Sequence, residues 1–124
     1  MRATGTFTTA FEPLVSADEW LGHARILKTI DGDLVGTGRA EMLSAGTTVE
    51  GSAGYVAIDQ ITGTLHGRKG SFVLQHSGLM ARGEGTLTVT VIPDSGTGEL
   101  TGLSGTFDIV NENGVHSYTF DYVL

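Results

Sequence analysis

The sequence predicts an all-β protein, a single eight-stranded antiparallel barrel spanning residues 1–124, and three observations predict it. Apolar and polar side chains alternate with period two over several long segments, the spacing at which successive residues of a strand face opposite sides of a sheet. Glycine occurs 19 times and proline twice, without a Gly-X-Y period, which suits a sheet with many turns and neither a helical domain nor a collagenous chain. The third observation is a hairpin signature. Ile61-Thr62-Gly63-Thr64-Leu65 alternates, Gly67-Arg68-Lys69-Gly70 supplies residues suited to a reversal, and then Phe72, Leu74 and His76 share one face while Val73, Gln75 and Ser77 share the other.

Taken in order, strands are expected near residues 2–11, 22–31, 34–45, 53–66, 70–80, 84–93, 104–112 and 115–123. Turn residues separate most of them: Asp31-Gly32-Asp33, Gly46-Thr47-Thr48, Gly67-Arg68-Lys69-Gly70, Arg82-Gly83, Asp94-Ser95-Gly96 and Asn111-Glu112-Asn113-Gly114. The gap between the first two strands holds the only helical candidate, Ser16 to Leu21. There Ser16 and Glu19 have capping-box spacing, but the stretch is long enough only for a turn. Trp20 within it reads first as packing or surface and second as a plug for a barrel end. The fourth strand, 53–66, is apolar on both faces, as expected if the barrel packs outside against a neighbour. In the sixth, Leu87, Val89 and Val91 should face the lumen and Thr86, Thr88 and Thr90 the solvent. In the eighth, His116, Tyr118, Phe120 and Tyr122 turn inward, joined by Phe107 and Ile109 of the seventh. Eight strands with short connections hide their edges most economically by closing into a barrel.

Composition excludes several classes of function. With 14 acidic against 7 basic residues the net charge is −7, so neither nucleic acid nor an anionic membrane is an expected partner. There is no cysteine, hence no disulfide framework, thiolate metal site or thiol nucleophile. The N-terminal residues lack the apolar run of a signal peptide, and no stretch is long and apolar enough to span a membrane, so a cytoplasmic location is expected. A chain of this length buries roughly two-thirds of its unfolded surface and needs no staple.

Candidate site residues are the polar groups set in apolar walls. His76 shares a face with Phe72 and Leu74. It reads first as a core histidine satisfied by a tyrosine or carbonyl, and second as a ligand-facing group. Tyr55 and Asp59, four apart, share a strand face with Ala57 and Ile61. An acid in such a wall has a raised pKa and can act as a general acid or base. Glu41 is a further candidate, unless it pairs with Arg39 or faces solvent. Tyr118 and Phe72 complete the ligand-binding set, and no catalytic residue is assigned.

Other motifs fail. Gly96-Thr97-Gly98-Glu99-Leu100-Thr101-Gly102 has one residue too many for a dinucleotide fingerprint and leads into a strand. There is no phosphate loop and no nucleophile elbow. His23, His66, His76 and His116 lie on separate segments without metal-ligand spacing. No cofactor and no metal are expected.

The runs Gly54-Tyr55-Val56 to Gly63-Thr64-Leu65, Gly67 to Gly78 with its Phe72-Val73-Leu74-Gln75-His76-Ser77-Gly78 segment, Gly96 to Gly105, and Tyr118-Thr119-Phe120-Asp121-Tyr122 together resemble the bacterial domain-of-unknown-function family 3224. The resemblance covers nearly the whole chain. It implies an allene oxide cyclase-like barrel, calycin- or lipocalin-like in shape, with a cavity for an apolar small molecule. No cyclase motif transfers residue by residue, and one barrel hosts unrelated chemistries. Three functions stay open: lumenal binding of an apolar small molecule, a cyclase or isomerase acting on a lipid-like or polyene substrate, and an oligomeric interaction module. A homo-oligomer is compatible with each.

Overall fold

The computed structural model describes residues 1–124. Its strands are β1 (Arg2–Pro13), β2 (Gly22–Gly32), β3 (Leu34–Gly46), β4 (Ala53–Leu65), β5 (Arg68–Ala81), β6 (Glu84–Val91), β7 (Ser104–Glu112) and β8 (Val115–Val123). Each pairs antiparallel with its neighbours in sequence, and β8 returns to β1 to close the barrel, with Ala3 opposite Phe120 and Gly5 opposite Tyr118. Alternation sorts the faces as expected: Val89 and Val91 are buried while Thr86, Thr88 and Thr90 are exposed, and Tyr118, Phe120 and Tyr122 all turn inward. No helix is long and apolar enough to cross a membrane.

Turn chemistry differs from expectation in one hairpin. The reversal between β4 and β5 is His66-Gly67, with φ of 45° and 81°, and Arg68 and Lys69 already belong to β5, opposite Leu65 and Thr64. A two-residue hairpin of type I′ needs two consecutive left-handed residues, and this pair supplies them; the basic pair is strand, not tip. Arg82-Gly83 and Asn113-Gly114 make the same kind of turn. Ser16 to Leu21 forms bends and a turn, closed by Leu21 N–H donating to Asp18 O. The Ser16 hydroxyl donates to the same carbonyl, so it does not cap a helix. Trp20 projects into solvent, 67% exposed, and plugs nothing.

The two ends of the barrel are unlike. At one end the β2–β3 and β4–β5 turns, both chain termini and the long β6–β7 connection meet. That connection contains a 3-10 turn at Gly98–Leu100, inside the glycine-rich run. It lies along β5: Thr97 N–H donates to Ser71 O, Ile92 N–H to Val73 O, and Val73 N–H to the Ser95 hydroxyl. Leu100 and Leu103 thereby become fully buried caps. Beneath them Phe107 stacks on Phe120 with ring centroids 4.0 Å apart, and Phe72 and Tyr122 flank Phe120 at 5.9 and 5.1 Å. An eight-stranded barrel is just wide enough for side chains to fill it, and here large rings do so. At the other end β6 and β7 separate. They pair only at Val89 with Phe107 and Thr90 with Thr106, leaving the rim side of both strands unladdered.

Tyr118 holds the closed end to the wall. Its hydroxyl accepts from Leu34 N–H at 3.0 Å and donates to Asp31 O at 2.9 Å, tying the β2–β3 turn to β8. Burial pushes its phenol pKa up. Tyr118→Phe leaves a buried N–H and a carbonyl without their partner, so a loss of about 1–3 kcal/mol is expected. Urea unfolding should show a lower midpoint with an unchanged slope.

Candidate functional site

Halfway down the lumen the apolar wall is interrupted by three ionisable side chains from three strands. On β2 the inward set is Ala24, Ile26, Lys28 and Ile30; on β4 it is Tyr55, Ala57, Asp59 and Ile61; on β5 it is Phe72, Leu74 and His76. Lys28 Nζ donates to Asp59 Oδ2 at 2.6 Å, and His76 Nε2 lies 3.1 Å from the same oxygen. Asp59 is fully buried, and the Lys28 and His76 side chains are 11% and 6% exposed.

Strand β3 stands between Lys28 and Asp59, and Gly38 lets them meet across it. Lys28 is opposite Gly38, which is opposite Ile61, one inward position from Asp59. A Cβ at position 38 would sit 3.1 Å from Asp59 Oδ1, 3.0 Å from Ile61 Cδ1 and 3.3 Å from Lys28 Cβ, so only glycine leaves this passage unobstructed.

Charge and hydrogen bonding set the state of the cluster. Burial pushes the Asp59 carboxyl pKa up, but the His76 hydrogen bond and the Lys28 ammonium outweigh it and hold the group below the ordinary carboxylate value. The raised pKa expected for an acid in an apolar wall is therefore corrected, because alternation alone did not bring a cation to its side. Ionised Asp59 can only accept, so the hydrogen bond from His76 requires a proton on Nε2. Asp59 Oδ1 is sealed and unpartnered. Lys28 also lies 5.5 Å from the centre of the Phe7 ring, a cation–π contact that offsets part of its desolvation.

Above the cluster lies a chamber of about 330 Å³ to which every strand contributes, from Phe7 of β1 to His116 of β8; Lys28 and His76 form part of its wall. His116 stacks on Phe7 with ring centroids 5.0 Å apart. Met42, Tyr55 and Leu87 border both this chamber and an outer vestibule of about 350 Å³ beneath the rim of β3–β6, so they form a neck. Tyr55 lies over Gly78 directly across the β4–β5 ladder, where a Cβ would come within 2.3 Å of the ring, and half-burial pushes its phenol pKa up.

The candidate residues therefore part company. His76 and Tyr55 line the chamber, and Asp59 lies beneath it. Phe72 is part of the aromatic plug. Tyr118 borders only a void of about 20 Å³ under the cluster. Glu41 is on the outer face. It stands opposite Arg25 in the ladder and pairs with it at 3.3 Å and with His23 at 3.6 Å, not with Arg39. Hydrogen bonds from Arg25 and His23 hold its carboxyl below the ordinary value. Lys28 is the member of the cluster that the sequence reading does not single out. Its signal was present: a lysine between Ile26 and Ile30 at an inward position is as anomalous as a histidine after Leu74.

A family profile described as "Protein of unknown function (DUF3224)" matches residues 3–122. The chain belongs to the DUF3224 family. A solved structure described as a protein with unknown function from this family, from Shewanella oneidensis MR-1, is similar to it at 46% identity. The match has a TM-score of 0.96 and covers 100% of this chain and 96% of that one. No curated protein matches the chain. DUF3224 membership thus agrees with the barrel and carries no activity with it, so the chemistry must be argued from the cluster.

Removing one member of a buried pair strands the other charge, and Lys28→Met is expected to cost about 3–5 kcal/mol. The double variant Lys28→Met/Asp59→Leu should recover most of that loss in chemical denaturation, since it removes both charges. Equal instability of single and double variants would show that the pair is not what Lys28 contributes. Because the folded Asp59 pKa lies below its unfolded value, the native state binds fewer protons. Its contribution is complete above the ordinary carboxylate pKa and is lost as pH falls through the lower, folded value. Between about pH 5 and pH 3 the double variant should therefore lose stability less steeply than the wild type.

Proposed function

We propose that this DUF3224 barrel binds an apolar small molecule in its lumen, with the molecule's polar end against Lys28 and His76. The observation that carries this reading is the contrast between the ends of one barrel. Below the cluster the interior is filled by stacked rings, whereas above it a chamber of about 330 Å³ stays open. That volume falls in the range of small-molecule sites, and few polar groups in an apolar wall are what orient such ligands. A buried ion pair contributes little net stability against apolar residues of the same shape, so stability alone gives no reason for Lys28, Asp59 and His76 to be there.

A second reading, an isomerase or cyclase acting on a lipid-like or polyene substrate, is supported by the His76–Asp59 hydrogen bond, which fixes an imidazole tautomer inside a shaped apolar chamber. The allene oxide cyclase-like barrel that the sequence resemblance implies would suit this reading as well as the first. The interaction-module reading draws on a different surface. Leu43 and Val56 face each other across β3 and β4 on the outside of the barrel, with Ile58 and Leu79 nearby, and support self-association there.

Native mass spectrometry of protein purified from its own source, followed by denaturing extraction, is expected to show a stoichiometric apolar companion. Leu87→Trp, which fills the neck, should lose that companion while keeping the wild-type unfolding midpoint within a few degrees. A protein that is empty, and whose mass does not change on exposure to lipid extracts, would count against lumenal binding.

A further inference from the structure

We infer that Lys28 is a covalent capture site for an apolar aldehyde, which it holds in the chamber as a protonated imine paired with Asp59. This rests on the lumenal binding reading above and names the chemistry of the ligand.

Lys28 has more donors than partners. An ammonium carries three N–H groups, and Asp59 Oδ2, at 2.6 Å, is the one acceptor that the protein gives it. The face of the Phe7 ring, with its centre 5.5 Å from Nζ, attracts the charge without replacing a hydrogen-bond acceptor. The side chain is only 11% exposed, so the two remaining donors carry a desolvation cost. An iminium nitrogen has a single N–H. Converting the ammonium to an iminium therefore removes both surplus donors, keeps the bond to Oδ2 and leaves the charge of the buried pair unchanged.

Placement agrees with this chemistry. Lys28 and Phe7 border both the chamber and the small void beneath it, whereas Asp59 borders the void alone, so the lysine stands between the carboxylate and the open space. Ile26, Met42, Leu87 and Ile109 in the chamber wall select an apolar body for the guest. A desolvated lysine is the side chain suited to imine formation, and an aldehyde, whose carbonyl carbon bears one hydrogen in place of a second chain, is the carbonyl most open to a nitrogen fixed in a wall.

The reaction balances without another reagent. The proton in the Lys28–Asp59 bond crosses to Oδ2 and frees the nitrogen pair, which forms the C–N bond while the carbonyl π pair moves onto oxygen. A second proton passes from nitrogen to that oxygen, giving a carbinolamine. Its hydroxyl takes the proton held at Oδ2 and leaves as water while the nitrogen pair forms C=N. The products are an iminium with one N–H, ionised Asp59 and one water, and water reverses the sequence.

The test uses octanal and 2-naphthaldehyde, with 2-naphthylmethanol as a control of similar shape that cannot form an imine. Cyanoborohydride reduces an imine to a stable secondary amine, which peptide mass mapping assigns to Lys28, to the exposed Lys69, the chain's other lysine, or to the Met1 amine. Lys28 is expected to be labelled at least about tenfold faster than Lys69, because the chamber holds the aldehyde against it. The 2-naphthaldehyde complex should show the long-wavelength absorbance of a protonated imine at neutral pH, and Asp59→Asn should lose that band. Leu87→Trp, which fills the neck away from the charges, should abolish labelling of Lys28 and leave that of Lys69 unchanged. Labelling of Lys28 no faster than Lys69, while 2-naphthylmethanol shifts the NMR signals of Met42 and Leu87, overturns the capture site and leaves lumenal binding standing. If no compound shifts those signals and Lys28 is not labelled, both proposals fall. Should Asp59→Asn not fold, Leu87→Trp decides, and labelling of Lys28 that persists in it overturns capture within the chamber.

Discussion

Pairing of β8 with β1 removes both edges of the sheet, and that closure turns every second residue into a filler of a fixed interior. An open sheet can leave one face to solvent; a closed one must either fill its lumen or enclose space. Here one length of the cylinder is filled by the Phe72, Phe107, Phe120 and Tyr122 rings under Leu100 and Leu103. The remaining length, where Ala40 and Ala57 stand among larger residues such as Ile26, Met42 and Tyr55, encloses the chamber.

The boundary between the two lengths is electrostatic. Lys28, Asp59 and His76 are withdrawn from water together, and each is tolerable only because the others are there. The arrangement depends on a gap in the intervening strand, since Gly38 gives Asp59 and Lys28 their line of approach. Backbone, packing and charge thus converge on one carboxylate oxygen. The outer surface handles its charges differently: Glu41 with Arg25, and Arg2 with Asp121, are exposed pairs in which solvent screening leaves little net energy.

Period-two alternation made the barrel legible before any coordinates, because strands with buried inner faces cannot slip by one residue without turning the core outward. It placed His76, Tyr55 and Asp59 on inward faces correctly. It leaves Glu41 open between a site role and solvent, because the strand Arg39-Ala40-Glu41-Met42-Leu43 carries small and apolar residues on both sides, and only pairing with Arg25 shows which side is out. Lys28 was missed for a related reason. A lysine is read as solvent-facing by habit, and its neighbour across the barrel wall is 31 residues away in sequence, beyond any local pattern. The turn falls on His66-Gly67 rather than Gly67 to Gly70 because a non-glycine residue takes the first left-handed position, which is uncommon, while the glycines on either side of Arg68 and Lys69 advertise a turn. Trp20 takes the surface option of its first reading, because the β1–β2 connection carries it away from the lumen.

The short ladder between β6 and β7 gives the cylinder a seam. Beyond Val89 on one strand and Phe107 on the other, towards the rim, the two are not zipped together, and Leu87, Ile109 and Asn111 of these strands stand on the chamber wall. Elsewhere the staves are bonded along most of their length, as in β3 with β4. A hollow vessel with one unfastened stave bends there first. The amides along that line, without ladder partners, are the ones from which solvent exchange reaches inward.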